Sequence, residues 1–255
     1  VVQRLLPAGV EVDTFDGSAW VGLVPFHMDA LGIAGWAPLP HVGSFPEVNV
    51  RTYVRARGRV GVWFFSLDVD RFLPAAVARI TYSLPYCSGT ADHVRAGDIV
   101  TSRVERNWPR SISTATTAVA VRVGEVIDHT HPLVRFLTAR WGLVSATRTG
   151  HLRYAPVDHP SWELHQADLL HLDDHLVTAA GLPQPDEPPG RSAQHLARLR
   201  RRQPEQRHRR STTATPEFVN EVNELQCQRY CPVPTRSMER PPLALSASED
   251  TRVRA

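Results

Sequence analysis

Along residues 47–55 polar and apolar side chains alternate. Glu47, Asn49, Arg51, Tyr53 and Arg55 fall on one face and Val48, Val50, Thr52 and Val54 on the other. A period of two is the signature of a β-strand. Gly58 marks a hairpin, and the return run VGVWFFSLD from Val60 is apolar on both faces. That run is predicted to lie centrally, covered on both sides. An earlier strand, Trp20 to His27, is bounded by the turn dipeptide Asp16-Gly17. Further strands are predicted near 86–94, 98–107, 114–123, 142–148, 151–156 and 162–171. Asp70 can cap a helix running through Ile80, with Pro74 close enough to its start to be tolerated, and HPLVRFLTAR from His131 predicts a second helix. Many strands, few helices and no βαβ rhythm predict a mainly β (α+β) fold. The expected architecture is an antiparallel sheet closed into a barrel or cone, with two or three short helices.

The pattern changes near Gly181. Of the 19 aromatic residues 17 precede it, including all six Trp, whereas 10 of the 21 Pro follow it. Residues 1–180 are therefore expected to hold the barrel, and 181–255 to be a Pro/Arg-rich linker and a mostly disordered C-terminal tail. Within that tail Phe218, Val222 and Leu225 have helical spacing, which predicts at most a short helix near 217–228.

Charge sharpens the division. Every one of the 29 basic residues is arginine, so the chain has no lysine. Side-chain Schiff bases, a P-loop lysine and a lysine general base are all excluded. The net charge is −1 over residues 1–180 (16 Arg, 17 acids) and +4 over 181–255 (13 Arg, 9 acids). The arginines at 198–210 could contact nucleic acid, but without interleaved aromatics a solvated tail is the favoured reading. No run is long and apolar enough to span a bilayer, and the opening VVQRLLPAGV is too short and broken for a secretory signal. The first residue is Val, as in a trimmed chain or one with its start codon read literally. Cys87, Cys227 and Cys231 form no disulfide framework, which fits a reducing compartment. The expected location is cytoplasmic, with no membrane partner.

Five segments carry a family resemblance: LLPAGVEVDTFDGSAWVGLVPFHM (5–28), FPEVNVRTYVRARGRVGVWFFSLD (45–68), LPY (84–86), FLTAR (136–140) and HPSWELHQA (159–167). Together they resemble the bacterial domain-of-unknown-function family 2071, related to the acetoacetate decarboxylase-like superfamily. The resemblance implies an acetoacetate-decarboxylase-like β-barrel. It also implies an early strand carrying Trp and a last strand after the Pro-rich linker; neither is legible here, so edge strands are expected to be missing at both ends. In ARITYSLPY (78–86), Arg79, Tyr82 and Pro85 keep the superfamily pattern, while Tyr86 stands where the decarboxylases carry their Schiff-base lysine. The decarboxylase reaction is therefore not carried over. Glu47 looks like the superfamily glutamate that points into the pocket.

These residues define the candidate site. Glu47 and Tyr86 are the candidate catalytic pair, and Arg51, Tyr53 and Arg79 the candidate ligand contacts. If the polar face of 47–55 points inward it lines a binding site, since burying such groups is costly unless they bond each other or a ligand. The competing reading is a solvent-exposed face. Arg79 beside Tyr86 would lower the phenol pKa and suit acid-base work, against the alternative of a Tyr that packs and bonds a backbone carbonyl. His171 and His175, with Asp173 and Asp174 between them, would share a helix face only if that segment were helical, and no third ligand is clear. His159 is read as ordering a turn, and His129 and His131 as solvated. Cys227 and Cys231 lack a companion pair, so no metal and no cofactor is expected. The resulting expectation is a small-molecule-binding barrel acting on a carboxylate or keto acid by acid-base chemistry without a Schiff base. The alternative is a noncatalytic ligand-binding or interaction protein, and a nucleic-acid accessory role is disfavoured. Substrate and oligomeric state are not legible in the sequence.

Overall fold

The computed structural model describes residues 1–33, 45–70, 83–109, 115–127, 130–158 and 164–183, together with strand segments 195–198, 218–227 and 233–234. After a 3-10 turn at Val2–Leu5 come β1 (Val10–Val12), β2 (Thr14–Phe15), β3 (Ser18–Ala19), β4 (Val21–Ile33), β5 (Phe45–Ala56) and β6 (Arg59–Val69). These are followed by β7 (Tyr86–Ala96), β8 (Ile99–Trp108), β9 (Thr116–Val126), helix α1 (Pro132–Thr138), β10 (Gly142–Ala146), β11 (Leu152–Asp158) and β12 (Leu164–Asp174). Helix α2 (Leu176–Ala179) precedes β13 (His195–Arg198), β14 (Phe218–Cys227) and β15 (Val233–Pro234). The fold is mainly β. The central strands and α1 fall where the residue pattern predicts them, while the helix expected from Asp70 to Ile80 lies almost wholly outside the described residues.

Two hairpins are set by turn chemistry. Arg57 and Gly58 (φ 50° and 74°) join β5 to β6, and Asp16 and Gly17 (φ 50° and 73°) join β2 to β3. Positive φ at both central positions matches the right-handed twist of the flanking strands, and glycine meets that demand at no steric cost. Twelve strands then form one curled sheet in the order β1-β5-β4-β14-β11-β10-β6-β7-β8-β9-β12-β13, with β5 also pairing β6 and β14 also pairing β13. The extra pairings fold the sheet back on itself, and most neighbours are antiparallel. The exceptions are β10 with β6, β11 with β14 and β6 with β7. β2, β3 and β15 make a separate three-stranded sheet.

The C-terminal part corrects two expectations. Residues 218–227 are a strand, not a helix, and β14 pairs antiparallel with β4 from Phe218↔Ile33 to Cys227↔Leu23. The free edge of β4 offers a row of backbone donors and acceptors, and pairing there overrides the helical spacing of a short apolar pattern. A strand does therefore follow the Pro-rich linker. Most of the rest of 181–255, where disorder was expected, lies outside the described residues, as does all of the arginine run except Arg198.

Both faces of β5 are buried. On one, Val48 and Val50 join Leu23, Val104, Val119 and Val121 in the largest apolar core. Within that curl the His93 ring of β7 lies 6.5 Å from the His27 ring of β4. Burial, then repulsion from His27, pulls the His93 pKa from 6.5 to about 4. The unfolded chain takes up this proton first as pH falls, so the neutral histidine's contribution is complete above pH 6.5 and lost toward pH 4. Unfolding stability is expected to drop across that window by up to about 3 kcal/mol. His93→Gln should flatten the drop in urea titrations at stepped pH, and an unchanged slope would place its source elsewhere.

Candidate functional site

The polar face of β5 is not the solvent face. Glu47, Asn49, Arg51 and Tyr53 are 2%, 3%, 6% and 0% exposed. Register fixes their surroundings: Glu47 lies between Phe26 of β4 and Val69 of β6, and Asn49 between Val24 and Leu67. Arg51 lies between Gly22 and Phe64. A bulge in β6 puts Val50 opposite Ser66 but Arg51 opposite Phe64, so Phe65 is the extra residue. It lets β6 twist while Arg51 stays on the polar face.

Tyr86 opens β7 and pairs in parallel with Leu67, which brings it beside Glu47. It packs on the apolar cluster of Val24, Phe26, Met28, Phe45 and Val69. The two candidate catalytic side chains are hydrogen-bonded, with the phenol donating to the carboxylate. Burial first, then the charge of Glu47 and this hydrogen bond, hold the Tyr86 phenol well above its ordinary value of 10. This reverses the expectation of a lowered phenol pKa. The neighbour is an anion, and Arg79, from which a cationic influence was expected, lies outside the described residues. Tyr86 is thus a protonated donor that orients Glu47.

Farther along β5, the Arg51 guanidinium faces the Tyr53 ring at 5.8 Å. Tyr53 belongs to the cluster of Trp20, Val62, Leu133 and Leu137 that seats α1, with Phe136 at 5.1 Å. Arg140, just after α1, lies 5.3 Å from the same ring and 4.4 Å from that of Phe136. It is anchored to buried Asp13 at 2.7 Å, whose other oxygen accepts from Arg55 at 2.8 Å. Guanidinium groups from both Arg51 and Arg140 thus lie against the Tyr53 ring. Asp13 and Arg140 were missed as partners because 127 residues separate them.

Asn49 Oδ1 and Arg51 Nε are shut off from solvent and make no hydrogen bond among the described residues, and Glu47 Oε2 in the same row is equally shut off from solvent. Burying such a group unpaired costs about 1–3 kcal/mol, more when it is charged. Opposite Arg51, Gly22 contributes no side chain, and a Cβ built there would sit 3.7 Å from Arg51 Nε. The row thus combines a held carboxylate, a protonated phenol, an acceptor and a buried cation.

On the sheet's other side, Asp68 and Arg106 form a two-pronged ion pair that sequence reading did not anticipate. Among the described residues no group of three His, Cys, Asp or Glu is arranged to hold a metal ion. His171 lies within strand β12 and His175 just after it, so they do not share a helix face. Asp174 instead accepts from the backbone N–H groups of Leu176 and Val177 at the start of α2. His131 precedes α1 without capping it through its side chain, Cys227 lies in β14, and His129, His159 and Cys231 lie outside the described residues. No helix among the described residues is long and apolar enough to cross a membrane.

Residues 1–198 match a family described as uncharacterized conserved protein. The uncharacterized protein YqjF of Bacillus subtilis (strain 168) is 29% identical over 191 residues, covering 74% of this chain and 77% of that protein. Among solved structures, the acetoacetate decarboxylase of Legionella pneumophila is 10% identical over 66% of this chain and 74% of its own, with a TM-score of 0.40. The enduracididine biosynthesis enzyme MppR complexed with pyruvate is 15% identical over 67% and 81%, with a TM-score of 0.38.

Proposed function

Because the chain belongs to domain-of-unknown-function family 2071, whose description names no reaction, we propose from its own side chains that it binds a small carboxylate along the buried face of β5 and moves a proton on it. The observation that carries this reading is the burial of Glu47, Asn49 and Arg51 in one row, with the cation's Nε shut off from solvent. An anion beside Arg51 would offset the cost of burying that charge. At the other end Tyr86 donates to Glu47, holding the carboxylate to act as a base on a C–H next to a carbonyl. The phenol stays protonated and is a donor throughout. With no lysine in the chain, no side-chain imine can form.

Calorimetry with a panel of small mono- and keto-carboxylates tests binding, and proton NMR of pyruvate in heavy water tests proton transfer. Arg51→Leu is expected to weaken acid binding about tenfold or more, which corresponds to about 1.4 kcal/mol. Glu47→Gln should abolish protein-dependent exchange of the methyl protons while leaving binding in place. Binding without exchange in the unsubstituted protein would make this a noncatalytic ligand-binding protein. If no acid binds, the site is a structural polar row and the proposal fails.

A further inference from the structure

We infer that the stretch of the row bounded by Gly22, Asn49 and Arg51 selects an acid with a hydroxyl group next to its carboxylate, a small 2-hydroxy acid; this rests on the carboxylate reading above. Asn49 Oδ1 can only accept a hydrogen bond and Arg51 Nε can only donate one, and among the described residues both lack a partner while shut off from solvent. They belong to residues two apart on the same strand face, about 6.6 Å along β5. A ligand satisfying both must present an anionic acceptor to Arg51 and a donor to Asn49. A plain carboxylate answers only the first. A keto acid sets its carbonyl oxygen against the oxygen of Asn49, two acceptors facing each other. An ammonium donor would lie beside the guanidinium. A hydroxyl meets the demand without added charge.

Gly22 supplies the room. It pairs directly with Arg51 across the ladder, and a Cβ there would lie 3.3 Å from Val24 Cγ2, a tight contact, and 3.5 and 3.7 Å from Arg51 Cγ and Nε. A longer side chain would have to compete with Val24 and Arg51 for this space. Gly22 is not in the left-handed region, so the close approach of the Val24 and Arg51 side chains, and not a turn, accounts for glycine in the middle of this ladder.

The test is calorimetric titration of the full chain with (R)-lactate, (S)-lactate, propanoate and pyruvate. One lactate enantiomer is expected to bind at least about tenfold more tightly than propanoate or pyruvate, because a site built to pair a hydroxyl is left with an unpaired polar group by analogues lacking it. Asn49→Leu should reduce that preference to within about twofold while propanoate still binds. Gly22→Val, which leaves every polar group in place, should abolish binding of all four acids. Should Asn49→Leu fold poorly, the lactate-to-propanoate ratio of the unsubstituted protein together with Gly22→Val decides the matter. Equal affinities for lactate and propanoate, or a preference unchanged in Asn49→Leu, overturn the hydroxyl inference while leaving the carboxylate site intact. Failure of the unsubstituted protein to bind any acid overturns the carboxylate reading itself.

Discussion

Replacing Arg106 by Leu is expected to lower the unfolding free energy by about 3–5 kcal/mol, the cost of leaving one member of a buried ion pair without its partner. Arg106 of β8 donates from Nε and Nη2 to the two carboxylate oxygens of Asp68 on β6, at 2.6 and 2.8 Å. The side chains are only 2% and 1% exposed. Burial works against the charge on Arg106, but the hydrogen bond and charge of Asp68 outweigh it, so the guanidinium is held above its ordinary pKa. Without it, Asp68 is an anion in an apolar surround, beside the β6–β7 pairing that places Tyr86. Because the penalty is mainly desolvation, the double substitution Asp68→Leu with Arg106→Met should recover most of the loss. Urea unfolding of the three variants checks this, and a loss below about 1 kcal/mol for Arg106→Leu would show that water reaches the pair.

Tyr53→Ala should cost a comparable amount, about 3–5 kcal/mol, the range for deleting a fully buried aromatic ring. The ring has no exposed surface and packs with Trp20, Val62, Leu133 and Leu137. The guanidinium groups of Arg51 and Arg140 both lie against it. Its removal leaves a cavity under α1 and takes away the ring against which both cations lie. Tyr53→Phe keeps the ring and should cost no more than about 1.5 kcal/mol, the contribution of one hydrogen bond. If both substitutions cost the same, the hydroxyl and not the ring holds this part of the fold together.

Much of the sheet is legible in the sequence because its strands alternate or run apolar, and both hairpins are announced by glycine. What β5 faces is not. The alternation at 47–55 separates two sets of side chains, but the buried surroundings of each set depend on strands from distant parts of the chain. Glu47 and Tyr86 could be placed near each other only through the family resemblance, and the direction of the Tyr86 shift could not, because it depends on which charge the fold sets beside the phenol. The Asp68–Arg106 pair escaped because its members are 38 residues apart and carry no local signature. The strand at 218–227 is not legible, and its spacing suggests at most a short helix near 217–228, because short apolar patterns do not fix their own period.

β5 is hydrogen-bonded on both sides along nearly its whole length. β6 accompanies it from Glu47 to Ala56, while on the other side β4 covers Phe45 to Thr52 and β1 takes over from Val54 to Ala56. At the handover the Tyr53 carbonyl accepts from the Asp13 amide at 2.8 Å. A strand held in this way has no edge from which to fray, so its amide protons should exchange with solvent deuterium only when the whole domain opens. The residues proposed to meet the ligand thus sit on the last segment to loosen. A ligand that stabilises the protein would slow exchange in β5 by the same factor as it slows global unfolding, making the peptide spanning 45–56 an internal gauge of occupancy.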